Sequence, residues 1–208
     1  MTKSFRLFLT ILVICLSVAV FAQEDFSAEI VRHDQDQERT PTKIYVTKGK
    51  MRVESAGRDG HGGAVILDFA TQTSTILMAE RNMYMEFPAG RGPGAQRTWN
   101  FFRTRDVEDA CSDWLKLPSN QGGSCKKIGS DVVNGRTTVK FEGTNSKGET
   151  GEVWLDPKIG FPVKWQGKDG GGELQNIQVG TQSPSLFEIP SGYQKMEMPA
   201  GMPNRRPQ

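Results

Sequence analysis

Short stretches of alternating apolar and polar residues, separated by brief turn signals, constrain this chain more than any other feature. The clearest is "SDVVNGRTTVKFEG" (130–143), in which Val139 and Phe141 alternate with polar neighbours. A period of two is typical of a strand that buries one face. Asn134 and Gly135 favour the left-handed geometry of a two-residue hairpin turn. This segment is therefore predicted to form a β-hairpin.

Eleven such strands follow one another between residues 26 and 179, nearly all of them joined by short loops. Short loops connect antiparallel neighbours, because a parallel pair needs a long crossover connection. The predicted fold class is therefore mainly β. It consists of a large antiparallel sheet that meanders or curves into an open barrel.

The stretch "GEVWLDPKIGFPVKWQ" (151–166) places an acid and a base between two tryptophans, which raises the question of an active-site loop. Turn chemistry gives another interpretation. Pro157 presets the backbone for a type I turn, and Asp156 can accept hydrogen bonds from the following amides. Gly160 can adopt the positive φ that closes such a loop. The sequence predicts a hairpin whose walls carry Trp154 and Trp165.

One segment, "RDVEDACSDWLKLP" (105–118), departs from the period of two. Its apolar side chains recur at the spacing of one helix face. They are Val107, Ala110, Cys111, Trp114 and Leu115. Pro118 ends the pattern. We expect a helix near 106–116 that covers the sheet.

The N-terminus has the composition of a secretory signal peptide. Lys3 and Arg6 precede the apolar run Leu7–Phe21, and the small residue Ala22 follows it. The apolar run is shorter than the roughly 20 residues of a membrane span, although a signal anchor is the alternative. Export to the periplasm with cleavage near Ala22-Gln23 is therefore predicted.

Three segments are expected: a signal peptide (1–22), a single β domain (23–195) and a flexible tail with Pro and Met (196–208). The whole chain carries a formal charge of +2, and residues 1–22 hold two basic and no acidic residues, so the remainder is neutral. A neutral chain gives no indication of a nucleic-acid partner. No other apolar stretch approaches the length of a membrane span.

Two cysteines, Cys111 and Cys125, remain when the signal peptide is removed together with Cys15. In an exported protein, two cysteines most simply form one disulfide. A redox pair or two metal ligands are the alternatives. The spacing is not C-x-x-C, and neither of the two histidines lies nearby.

Metal binding and catalysis have little support in the sequence. His33 and His61 lie in no known ligand pattern. The stretch "HDQDQE" loosely resembles a calcium loop but lacks its turn glycine and distal glutamate. Asp59 and His61 could form an acid–base pair, although the glycines around them make a poor platform. No metal, no cofactor and no enzymatic activity are predicted.

Methionines and aromatic residues cluster in a way that suits a loosely shaped apolar ligand. The candidates for the lining of an apolar cavity are Met78, Met83, Met85, Phe87, Trp99, Phe101, Phe102, Trp114, Trp154 and Trp165. The alternative is that these side chains fill an ordinary core.

Several stretches, taken in order, resemble a bacterial envelope family of unknown function with a LolA-like fold. They are "YVTKGKMRVE", "GGAVILDFATQTSTILMAERNMYMEF", "CKKIGSDVVNGRTTVKFE", "VWLDPKIGFPVKW" and "SLFEIPSGYQKM". The resemblance covers about residues 24 to 198. It implies an open, curved half-barrel with helices over its concave apolar side. Arg52 matches a position that is commonly basic in this family.

Relatives of this fold carry acyl chains of lipoproteins or lipids across the periplasm, so the resemblance implies an apolar ligand. The leading hypothesis is a non-catalytic periplasmic protein that binds an acyl chain, a lipid or an acylated protein. The second is a structural or protein-interaction module of the envelope with no small-molecule ligand. An enzyme would need a converging acid, base or nucleophile.

Overall fold

One mainly antiparallel sheet makes up most of the protein. The computed structural model describes residues 24–34, 37–38, 41–55, 62–88, 106–168 and 170–197. In these ranges the strands are β1 (Phe26–Asp34), β2 (Gln37–Glu38), β3 (Thr42–Val46), β4 (Lys50–Ser55), β5 (Gly63–Asp68), β6 (Thr73–Met78), β7 (Met83–Pro88), β8 (Ser124–Val133), β9 (Arg136–Thr144), β10 (Thr150–Asp156), β11 (Phe161–Gly167), β12 (Gly170–Val179) and β13 (Gln194–Lys195).

The order of the strands in space is β13-β7-β6-β5-β4-β3-β1-β12-β11-β10-β9-β8, with β2 paired to β1 alone. A first meander (β3–β7) and a second meander (β8–β12) therefore flank the central strand β1. The short strand β13 joins β7 in parallel. The sheet is open and curved, so the predicted fold class is confirmed. All eleven predicted strands are present, and the two-residue strands β2 and β13 are additional to them.

Most of the main core lies on one face of the sheet, which we call the inner face. Val46, Met51 and Leu67 are direct neighbours across β3, β4 and β5, and each is at most 1% exposed. Directly paired residues project to the same side of a sheet, so the register of the strands defines this face. Phe26 and Phe161 meet edge to face at 5.4 Å and link β1 to the second meander.

The covering helix α1 spans Ala110–Leu115 and is shorter than the predicted 106–116. The side chain of Asp106 accepts a hydrogen bond from the backbone N–H of Glu108 at 2.9 Å, which holds the preceding residues in a turn. Leu117 is extended with ψ 134°, as expected for a residue before proline. Buried residues that pack together beneath and beside the helix are Val107, Ala110, Val139, Phe141 and Leu155.

The outer face of the first meander is covered by a 3₁₀ turn, Pro184–Phe187. Phe187 packs there with Ala64, Ile66 and Leu77. Arg52 donates to the backbone oxygen of Leu186 at 2.9 Å and to Glu54 at 3.0 Å. The basic position implied by the family resemblance thus holds the C-terminal segment against the sheet.

Both predicted hairpins are confirmed. Asn134 and Gly135 have φ values of 48° and 76°, the left-handed geometry of the predicted two-residue turn. In the second hairpin, Oδ1 of Asp156 accepts the backbone N–H of Lys158 at 2.8 Å. Gly160 has a φ of 58°. Asp156 is buried and forms an ion pair with Arg136, so it supports the turn.

Candidate functional site

A row of four glycines crosses the second meander. Gly143 pairs with Gly151, Gly151 with Gly167, and Gly167 with Gly170, so the row spans β9 to β12. Because directly paired residues project to the same side, four consecutive strands present only backbone at this level of the inner face. We call this row the glycine floor.

Two tryptophans stand over glycines and form walls beside this floor. A Cβ atom on Gly143 would lie 2.8 Å from the indole of Trp114, which α1 carries. A Cβ atom on Gly172 would lie 2.5 Å from the indole of Trp165. Real Cβ contacts are essentially never this short. Both rings therefore rest directly on backbone, and larger residues at these two positions would displace them.

The floor and the two indoles bound a groove of about 600 Å³, which Phe141 and Val153 also line. This volume lies within the range of about 300–1,000 Å³ that is typical of small-molecule sites. Phe141, Val153 and Trp165 are direct neighbours across β9, β10 and β11. The groove is thus a feature of the inner face, where Trp165 packs against the main core and Phe141 and Val153 belong to the cluster beneath the helix.

A disulfide between Cys111 and Cys125 fixes one wall of the groove, and the predicted pairing is confirmed. Cys125 on the edge strand β8 pairs with Gly143, the first residue of the glycine floor. Cys111 lies on α1, three residues before Trp114. The covalent link therefore holds the helix, and with it the indole, above the floor.

Acidic residues that line the groove are paired with lysines. Glu149 lies 3.6 Å from Lys168, and Glu152 lies 2.7 Å from Lys140. A hydrogen bond from the side chain of Asn145 is the main cause that lowers the pKa of Glu149. Both carboxylates are thus engaged by cationic side chains.

Four of the sequence-predicted residues lie together, although not at this groove. Met78 pairs with Met83, and Met85 and Phe87 follow on the same side of β7. The register across the sheet places all four on the inner face of the first meander. Met78 lines a second cavity of about 470 Å³. Phe87 is buried, and the methionines are half-buried.

The tryptophans of the second hairpin separate onto opposite faces. Trp165 lines the groove, whereas Trp154 projects to the other side of β10, where it is buried and packs with the main core. There it lies between Lys140 and Lys164, whose Nζ atoms are 4.7 and 4.9 Å from the ring centroid. The Nε1–H of Trp154 donates to Asp131 at 2.7 Å and is the main cause that lowers the pKa of this carboxyl. Trp154 thus does not line the groove.

Several predicted features lie outside the described residues. They are the signal peptide (1–22), Asp59, His61, Trp99, Phe101, Phe102 and most of the tail (198–208). Within the described ranges, no group of three His, Cys, Asp or Glu side chains could hold a metal ion. None of the helices in the same ranges combines the length and the hydropathy of a membrane span.

Sequence reasoning missed the glycine floor and Arg32. In the local pattern, the glycines of "GETGE" and "KDGGG" have the character of turn residues. Arg32 lies on β1 opposite Gly172 and also lines the groove. The available signal was the repeated placement of glycine two residues from an inward apolar residue, as in Gly151 and Val153 or Trp165 and Gly167.

Comparison with solved structures finds similarity at low sequence identity. An uncharacterized conserved protein from Thermus thermophilus has a TM-score of 0.54 at 10% identity, over 85% of this chain and 91% of that one. A LolA superfamily protein from Nitrosomonas europaea has a TM-score of 0.35 at 8% identity, over 80% of this chain and 90% of that one. LprF from Mycobacterium bovis has a TM-score of 0.36 at 12% identity, over 80% of this chain and 90% of that one.

No family model matches the chain, and no curated protein matches it either. The similarity to the Thermus protein extends over most of both chains, and it concerns the fold alone. The LolA-like architecture implied by the sequence resemblance agrees with the open, curved sheet.

Proposed function

We propose that this protein is a non-catalytic protein of the cell envelope that binds an acyl chain or another apolar ligand in the groove. The observation that carries the proposal is the glycine floor between the indoles of Trp114 and Trp165. A chain of methylene groups fits such a surface, because it needs apolar walls and no directional partner. Burial contributes about 0.8 kcal/mol for each methylene removed from water.

Export is part of the proposal. A disulfide such as Cys111–Cys125 persists in oxidising compartments and is rare in the cytosol. This agrees with a signal peptide at 1–22, cleavage near Ala22-Gln23 and a periplasmic location. We further propose that residues 23–195 form one domain and that 196–208 are a flexible tail.

A fluorescent probe that is neutral and apolar tests the binding function directly. N-phenyl-1-naphthylamine fluoresces strongly only when it leaves water, so its titration into the purified protein reports on an apolar groove. We expect saturable binding, and native mass spectrometry of gently purified protein should reveal a bound lipid. A protein that is ligand-free and also fails to take up the probe would contradict the proposal.

Gly167→Leu tests whether the groove is the binding site. A Cβ atom on Gly167 has no neighbour nearer than 4.0 Å, and its φ is not positive, so the leucine is accommodated and projects into the groove. Probe affinity should fall at least about tenfold, equivalent to about 1.4 kcal/mol. The matched control is Gly49→Leu, because a Cβ atom there meets nothing within 4 Å. Equal affinities in both variants would place the probe elsewhere.

A protein-interaction role is the second candidate, and an exposed edge favours it. Strand β8 lies at one end of the sheet. Its Ile128 and Val132 are large apolar side chains that are 49% and 66% exposed. An exposed edge of this kind can add a strand from a partner. A photocrosslinking residue in place of Val132 should then capture one protein in cells, and none when it replaces Lys158.

A further inference from the structure

The charges that line the groove are unevenly compensated. Four charged residues contribute to its lining: Arg32, Glu149, Glu152 and Lys168. Glu149 and Lys168 form one ion pair, and Glu152 forms another with Lys140. Each of these ion pairs is neutral in itself, so one uncompensated positive charge remains at the groove, on Arg32.

Arg32 has no ion pair or hydrogen bond from its side chain within the described part of the chain. It differs in this from two other arginines that the structure describes. Arg52 is bound to Glu54 and to the Leu186 carbonyl, and Arg136 is bound to Asp156. Those two guanidinium groups hold the fold together. Arg32 is exposed and makes no such contact with the residues that the structure describes.

The position of Arg32 is set by β1. Its direct partner on β12 is Gly172, the residue on which the indole of Trp165 rests. The side chain of Arg32 therefore starts one strand beyond the indole wall, on the same inner face as the glycine floor. Neighbouring strands lie about 4.8 Å apart, so the floor from β9 to β12 is about 14 Å long and Arg32 stands just past one end of it.

We propose that the ligand is an anionic single-chain amphiphile whose carboxylate or phosphate head is bound by Arg32. The apolar chain runs across the glycine floor between Trp114 and Trp165. This inference rests on the proposed function and adds the chemical class of the head group. A guanidinium group suits such a head group, because its planar N–H donors form bidentate hydrogen bonds with the oxygens of a carboxylate or phosphate.

Four ligands with the same twelve-carbon chain test the head-group preference. Dodecanoate, dodecyl phosphate, dodecan-1-ol and dodecyltrimethylammonium are each used below micelle formation to displace bound N-phenyl-1-naphthylamine at pH 8. We expect the two anions to bind about tenfold more tightly than the alcohol, the gain typical of a hydrogen bond to a charged group. The cation should be the weakest ligand. Added NaCl should reduce the preference for the anions.

Arg32→Gln should remove this preference, so that dodecanoate and dodecyl phosphate bind no more tightly than dodecan-1-ol. Lys158→Gln is the charge-matched control, because Lys158 is exposed in the turn at the opposite end of β10 and β11. It should retain the preference in full. Loss of affinity for the alcohol in Arg32→Gln as well would assign Arg32 to the structure of the groove and overturn the inference.

The remaining outcomes separate the two proposals. If none of the four ligands displaces the probe, and the probe itself does not bind, the proposed function fails. If dodecanoate and dodecan-1-ol bind equally in the wild-type protein, the head-group inference fails and the proposed function stands. Calorimetric titrations with acetate and inorganic phosphate form the last arm. If acetate or phosphate binds as tightly as dodecanoate, the site is one for free anions, and the inference of an amphiphilic ligand is wrong.

Discussion

The two meanders carry different surfaces on the same inner face of one sheet. In the first meander, Val46, Met51 and Leu67 face one another across three strands and are at most 1% exposed. In the second, the glycine floor occupies four strands and the space above it is a groove. Both meanders are antiparallel, so the difference lies in the side chains that the strand register of each meander brings to the inner face.

This difference has a cost. Glycine inside a strand destabilises by about 0.5–1 kcal/mol relative to alanine, and this cost applies to Gly143 and Gly151 of the floor. Gly170 begins its strand and has a φ of 117°, which favours glycine. The second meander offsets the loss with local connections. The disulfide Cys111–Cys125 ties α1 to the edge strand, and the ion pair Arg136–Asp156 supports a turn. We infer that these connections stabilise the second meander in addition to its own core, which includes Leu155, Phe161 and Leu174.

Removal of the disulfide should give the largest effect. The double substitution Cys111→Ala and Cys125→Ala should lower the free energy of unfolding by about 3 kcal/mol, because the link closes a short loop in the unfolded chain. Urea denaturation measures this loss. Hydrogen exchange should accelerate more in α1, β8 and β9 than in β3–β6, since local stability follows local connections.

Reduction provides the control for that experiment. A reducing agent should shift the wild-type protein towards the stability of the double variant and should leave the variant unchanged. Affinity for N-phenyl-1-naphthylamine should also fall, because Trp114 is no longer fixed over Gly143. Uniform acceleration of exchange in both meanders would contradict the contrast between them.

Valine truncations compare the two surfaces with one chemistry. Val46 is 1% exposed in the filled region, and Val153 is half-buried at the groove. Val46→Ala should cost about 2 kcal/mol of unfolding free energy, as expected for loss of buried methyl groups in a packed core. Val153→Ala should cost less than about 1 kcal/mol, because one side of its side chain already faces open space.

For probe affinity, the order of the two effects should be the opposite of that for stability. Val153→Ala changes the groove and should alter the affinity for N-phenyl-1-naphthylamine, whereas Val46→Ala should not. Each variant thus serves as the control for the other. Equal stability costs would mean that the groove region is packed as densely as the core, and the comparison would fail.

The strands and the disulfide could be predicted because their causes are local. Alternation determined the strands, and the geometry of Asn134 and Gly135 determined a hairpin. The helical pattern predicts the position of α1 correctly but makes the helix too long. The hydrogen bond from the backbone N–H of Glu108 to the side chain of Asp106 competes with the first helical turn. Helical periodicity does not reveal such competition.

The glycine floor could not be predicted because it depends on register. A bulge at Val163 shifts the pairing of β10 and β11 between Trp154 and Leu155. Without that extra residue, Gly151 would face Gln166 instead of Gly167, and the row would be interrupted. Bulges are not signalled in the local pattern. The sequence therefore indicated an apolar site but not the strands that form it.

Asp68 gives the smallest predicted effect and concerns the first meander. Its Oδ1 accepts the backbone N–H groups of Ala70 and Thr71 at 2.9 and 3.0 Å. The Thr71 amide is the main cause that lowers the pKa of Asp68. A carboxyl group with a lower pKa in the folded state stabilises the fold above its unfolded pKa. It loses this contribution as the pH falls through the folded value.

We therefore expect Asp68→Asn to flatten the loss of stability below about pH 4 by at most about 1 kcal/mol, as for exposed electrostatic contacts. Urea denaturation between pH 7 and pH 3 measures the difference.

Asp131→Asn is the counterpart in the second meander, where the hydrogen bond from Trp154 lowers the pKa of Asp131 on the outer face. Because neither carboxyl faces the groove, affinity for N-phenyl-1-naphthylamine should stay constant in both. A change of affinity in Asp131→Asn would show that the outer face of the second meander controls the groove, and the two faces could no longer be treated separately.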